Sequence, residues 1–167
     1  MLNKRSEIRA EAVIKEKIGG DYDYLIFLAS QSRAAVESIL QQFKGQEGWA
    51  GRGGGYLCIA DGESGFPLFT ALIGEASLQK APKYLSFCQE KAVRLANHPD
   101  HEASWESRNV EKNQLAGAVR FGELILSFSG LPELGDEAAM LKTAKLASAE
   151  FGVVAERIAK RSKNPYW

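Results

Sequence analysis

Hydrophobic positions along the chain switch between two periods, and the switches mark out its elements. Between Asp23 and Lys44, the residues Leu25, Leu28, Ala29, Ser32, Val36, Ile39, Leu40 and Phe43 recur at three- and four-residue steps. That spacing makes one stripe on a helix, and Asp21 or Asp23 is placed to cap its start. Residues 4–18 intersperse charges with apolar side chains and read as a short charged helix stopped by Gly19 and Gly20. Tyr56–Ala60 and Phe66–Gly74 are apolar runs on either side of Asp61-Gly62-Glu63-Ser64-Gly65, the pattern of an antiparallel hairpin, and Pro67 suits a strand start or edge.

The helical period returns from Ala81 or Pro82 to Ala96, where His98 and Pro99 end it. A polar connection, 97–114, follows, with a short strand expected around Ser104 to Arg108. Leu115–Phe121 and Leu124–Ser129 form a second hairpin across Gly122-Glu123. Alternation puts Leu124, Leu126 and Phe128 on one face of the last strand and Ile125, Ser127 and Ser129 on the other. After Gly130-Leu131-Pro132, one long helix is expected from about Asp136 to Lys160, with Met140, Leu141, Ala144, Ala147, Ser148, Phe151, Val154, Ala155 and Ile158 on its core stripe. Hairpins pair antiparallel, and amphipathic helices must cover their apolar residues. The predicted fold is therefore α+β: a single domain over 23–167, an antiparallel β-sheet covered by amphipathic helices in the order α-β-β-α-β-β-α, with the charged helical segment 1–22 before it.

Composition narrows the function classes. The chain has 167 residues, and 21 Lys and Arg balance 21 Asp and Glu, so no basic field gathers phosphates and no nucleic-acid partner is expected. No stretch approaches the roughly 18 apolar residues of a spanning helix, and the N-terminus lacks a signal-peptide core, so no membrane partner and a cytoplasmic location are expected. Cys58 and Cys88 sit in separate apolar stretches and read as reduced, buried thiols. The glycine-rich Gly45–Gly55 invites a phosphate-cradle reading, but a helix precedes it and no GK[ST] follows, so it reads as a loop.

Three places break the general pattern. Lys91 falls among Tyr84, Phe87, Cys88, Ala92 and Leu95 on an apolar stripe, where an ammonium must snorkel, find a carboxylate or anchor an anionic ligand. His98 and His101, the two histidines of the chain, lie beside Asp100 and Glu102 in a loop. Such a set serves either solvation or ligation of a metal or haem iron. Trp105 and Arg108 nearby suit a planar, carboxylate-bearing ligand, or equally an anchored loop. In Ser129–Ala138, SGLPELGDEA, Asp136 and Glu137 occupy a first helical turn, where acidic residues cap; Glu137 also projects towards the buried side, within range of a pairing with Lys91. No GxSxG is present, and neither cysteine has a neighbouring histidine.

The order of elements, Glu90-Lys91-Ala92, the segment GAVRFGELILSFSG and Asp136-Glu137-Ala138 together resemble the GlcG/HbpS-like family of haem-binding or haem-degrading domains, over about residues 23 to 155. The family's strand ending differs here, as Ser127-Phe128-Ser129-Gly130-Leu131, and the segment holding His98 and His101 matches no family motif. The resemblance implies a profilin-like arrangement, a pocket for which haem is the named ligand, and a homo-oligomer. The leading expectation is a small-molecule-binding module using Lys91, Trp105, Arg108 and Glu137, with His98 and His101 as metal or haem ligands. The alternatives are a small enzyme, working by oxidative haem breakdown or by Lys91/Glu137 acid–base chemistry, and a structural domain whose pocket its own side chains fill.

Overall fold

A computed structural model of the chain describes residues 22–167; the charged helix expected over 4–18 lies outside the described residues. Helix α1 (Asp23–Phe43) leads to the hairpin β1 (Gly53–Asp61) and β2 (Pro67–Glu75), then to helix α2 (Ala81–Ala96). The second hairpin is β3 (Ala118–Phe121) and β4 (Leu124–Ser129), followed by α3 (Glu133–Ala147) and α4 (Gly152–Ser162). The two hairpins join through β1 and β4 into one antiparallel sheet of order β2-β1-β4-β3. The protein is thus a single α+β domain, as the alternation of periods predicts.

Alternation along the central strands divides the interior into two cores. Leu57 and Ile59 of β1, opposite Phe128 and Leu126 of β4, face α1 and α3 and are fully buried with Leu25, Leu28, Val36, Met140 and Leu141. Cys58, Ala60, Ala118 and Ile125 face the other way and pack beneath Cys88, Ala92 and Leu95 of α2. Each large aliphatic side chain so buried contributes roughly 1.5–3 kcal/mol. Small residues dominate the second core, which brings α2 close to the sheet.

Three expectations are corrected. The long last helix is two: Ser148 takes an extended conformation (φ −148°, ψ 113°), and a short 3-10 turn, Ala149–Phe151, precedes α4. The break turns Phe151 edge-on to Phe121, 5.4 Å between ring centres, while Ala144, Ala155 and Ile158 stay in one core, which is why a single stripe is read across both pieces. The short strand around Ser104–Arg108 is a 3-10 turn, Ser104–Ser107, with one β-bridge before it between Ala103 and Val119. Glu106 takes the amides of Glu102 and Ala103, and Arg94 takes the carbonyls of Ser104 and Ser107, so the groups a ladder would use are occupied. Finally, β1 begins at Gly53, inside the expected loop. A Cβ at Gly54 (φ +155°) would lie 2.0 Å from the Ile73 carbonyl oxygen, and one at Gly55 2.0 Å from that of Ser129, so the glycines let β1 enter between β2 and the end of β4.

Candidate functional site

The stripe of α2 points Lys91 inward, where the residue is 1 % exposed. Its Nζ donates to the Phe128 carbonyl at 2.8 Å and to Asp136 Oδ2 at 2.9 Å. The other Asp136 oxygen accepts the Leu131 amide at 2.8 Å, which fixes the departure from β4 into α3. Burial pushes the Asp136 carboxyl up to about 6, against the pull of Lys91, the Leu131 amide and the Arg52 guanidinium. Gly117 closes the crevice: a Cβ there would sit 2.6 Å from Lys91 Nζ and 2.8 Å from the Phe128 oxygen. Lys91 is a strut between helix and sheet end, enclosed by protein.

Glu137 does not meet Lys91, and the expected pairing is corrected to Asp136. Adjacent residues point about 100° apart around a helix. Because α3 starts three residues earlier than expected, at Glu133, Asp136 is the one that faces α2. Glu137 is fully buried on another side, where its Oε1 accepts from the Ser162 hydroxyl and from Asn164 Nδ2 (3.1 Å). Its Oε2 is buried without a partner. Burial pushes this carboxyl up; Ser162 and Asn164 pull it down, and Glu133 and Glu106 add to the rise. Acid–base chemistry shared by Lys91 and Glu137 has no common substrate position, since both would have to reach one bound substrate and each is buried with its own partners.

The loop after α2 is held by two arginines that sequence reasoning passed over. Arg120 of β3 donates to the carbonyls of Gly62, Leu95, His98 and His101 at 2.7–3.1 Å. Arg94 binds Glu90, Ser104, Ser107 and Leu115 and is 7 % exposed. Its position one turn after Lys91 on the same stripe was the available signal. Arg108 lies at the surface and forks onto Glu133, whose second role is to accept the Ala116 amide at 3.0 Å. Burial pushes Glu133 up, but Arg108 and the Ala116 amide outweigh it and leave the carboxyl below its usual value. Arg157 and Arg161 of α4 bind Glu102, and Arg161 also binds Glu106, at 3.0 Å. Chiefly through the Arg157 hydrogen bond, Glu102 sits below the ordinary carboxylate range. Trp105 is half-buried within the 3-10 turn.

His98 and His101 come together as a stacked pair, 4.6 Å between ring centres and 10° between planes. A metal lies close to the plane of the imidazole that ligates it, and two stacked, near-parallel planes share no such point. The pair therefore cannot chelate one ion, and among the described residues no group of three or more His, Cys, Asp or Glu is arranged to hold a metal. Of the two rings, His98 is the one fixed by a backbone partner, whereas Nδ1 of His101 is buried without one. The His98 Nδ1 lies 2.7 Å from the Arg94 carbonyl oxygen, which only accepts, so the proton is assigned to Nδ1 and the lone pair to Nε2. The ring lines an open cleft of about 400 Å3 together with Glu90, Val93, Asn97, Ser107 and Gln114.

Cys58 of β1 and Cys88 of α2, separate in sequence, meet in the second core as free, fully buried thiols. Hydrogen bonding with the Cys88 thiol and burial hold Cys58 well above the ordinary thiol value, opposite to what a nucleophile needs. Set against models of known families, against characterised proteins and against solved structures, the chain matches none.

Proposed function

We propose that the protein is a small-molecule-binding domain of the GlcG/HbpS-like kind, and that it takes haem through His98. The observation that carries this is the anchored ring: donation from Nδ1 to the Arg94 carbonyl is the arrangement that fixes a ligating histidine and leaves Nε2 for iron. His98 would hold the iron through Nε2, and bound haem would supply a redox-active iron at that nitrogen. Val93 is the apolar side chain of the cleft, beside Glu90, Asn97, Ser107 and Gln114. Binding rather than catalysis is favoured because Lys91, Asp136 and Glu137 are sealed inside the protein.

A homo-oligomer and a cytoplasmic setting belong to the same proposal. Free, buried thiols are consistent with a reducing compartment. The edge strand β2 and the first turns of α1 expose Leu72, Ile26 and Phe27, apolar surface of the kind an assembly would cover. Native mass spectrometry of freshly purified protein reads subunit number and retained ligand together.

Haem titration tests the central claim. A Soret band is expected at micromolar haem, lost in His98→Ala and kept in His101→Ala, since His98 is the ring anchored on the Arg94 carbonyl and set in the cleft wall. Absence of a band, or a band that survives His98→Ala, overturns the proposal.

A further inference from the structure

A second cavity, of about 500 Å3, lies between the start of β1 and the turn that enters α2, with Arg52, Glu75, Ser77, Lys80 and Tyr84 in its wall beside the Gly51–Gly54 backbone. These residues are far apart in sequence and meet because β1 pairs with β2 with Gly53 opposite Glu75. Tyr84 is only 9 % exposed, and its hydroxyl makes no hydrogen bond to a described residue. That oxygen is not among the polar atoms sealed from solvent, and Tyr84 stands in the cavity wall.

The charges around it are also unspent. Arg52 is fixed by one bond, from Nη1 to the Gly130 carbonyl at 3.1 Å, which leaves Nε and Nη2 without an acceptor among the described residues. Among the described residues, neither Arg52 nor Lys80 has an ion-pair partner. An oriented guanidinium edge, an ammonium and a phenolic donor around one cavity match a carboxylate. Glu75 in the same wall opposes a second negative charge and so disfavours a phosphate dianion. The volume lies in the range of small-ligand pockets.

We propose that this cavity is a binding site for a small organic molecule bearing one carboxylate, held by Arg52 and Lys80 and oriented by the Tyr84 hydroxyl. It is separate from the His98 cleft, so the two proposals stand or fall independently.

The test is an amide NMR titration of the full chain with benzoate as probe and inorganic phosphate as comparison. Saturable shifts of the Gly51, Gly53 and Gly54 amides are expected with benzoate, with phosphate at least about tenfold weaker. Tyr84→Phe and Lys80→Ala should each weaken benzoate binding about tenfold or more, the scale of a lost hydrogen bond to a charged group. Tyr84→Phe should leave the unfolding midpoint unchanged, because the hydroxyl it removes has no partner among the described residues, and His98→Ala should bind benzoate as the wild type does. The proposal is overturned if folded wild type shows no saturable shift, if both cavity variants bind as the wild type does, or if phosphate binds as tightly as benzoate.

Discussion

Replacing Lys91 by Met tests the buried pair through its pH dependence. Methionine keeps the length and apolar stem, and what vanishes is the charge, the bond to the Phe128 carbonyl and the bond to Asp136. Asp136, 2 % exposed, is left with the Leu131 amide and the distant Arg52 charge. In the wild type its folded-state value is raised from 3.8 to about 6 by burial. A group raised in this sense contributes stability that is complete below pH 3.8 and lost as pH rises through about 6. Without Lys91 the carboxyl rises further, so Lys91→Met continues to lose stability above pH 6, by about 1.4 kcal/mol per pH unit, where this group in the wild type no longer does. The expected penalty is about 1 kcal/mol at pH 5, for the lost carbonyl bond, growing by about 2–3 kcal/mol at pH 8. At pH 8 that total of about 3–4 kcal/mol corresponds to a midpoint about 10 °C lower. Urea unfolding of both proteins at pH 5 and pH 8 measures it. Adding Asp136→Asn, which keeps an oxygen for the Leu131 amide, should recover most of the loss at pH 8, because no unpaired carboxylate remains. A penalty independent of pH, or a double variant worse than the single one, refutes the account.

Two further outcomes follow from the same physics. Glu137→Gln should raise the unfolding midpoint at pH 8 and leave it unchanged at pH 4, because a carboxyl pushed up by burial weakens the fold only where it is ionised; thermal melts at both values check this. Arg120→Lys should cost about 3 kcal/mol in urea unfolding, since an ammonium cannot reach all four carbonyls and the remainder stay unsatisfied, and hydrogen exchange should quicken across 98–103.

Much of the fold is legible because it depends on local period. Leu124, Leu126 and Phe128 alternate with Ile125 and Ser127, and the structure places the two sets in separate cores. Lys91 is visible as an anomaly because a four-residue step along α2 includes it among apolar neighbours. Its partner is not visible, since choosing Asp136 over Glu137 requires the rotation of α3 about its own axis. That rotation is set by where the helix starts, at Glu133, and by the Leu131 amide that Asp136 holds. Arg120 stands in a strand beside ordinary neighbours, and only the packed loop reveals four carbonyls around it. The meeting of Cys58 with Cys88, and of Arg52 with Tyr84, depends on which strand pairs with which and on the side α2 covers.

Most of the residues that stand out in the sequence are consumed by the fold: Lys91 by Asp136, Arg108 by Glu133, Glu102 by Arg157, and Glu137 in part by Ser162 and Asn164. A group satisfied internally must break a bond before it can hold a ligand, at a cost of about 1–3 kcal/mol. Groups that carry donors or lone pairs without a partner among the described residues bind without that cost, and the two proposed sites draw on such groups: His98 Nε2, the free edge of Arg52, Lys80 and the Tyr84 hydroxyl. Two of these flank the start of α2 and one lies just past its end. The Lys91 strut fixes the middle of that helix against the sheet, so the pair that closes the crevice also holds in place both ends of α2, where the two proposed sites lie.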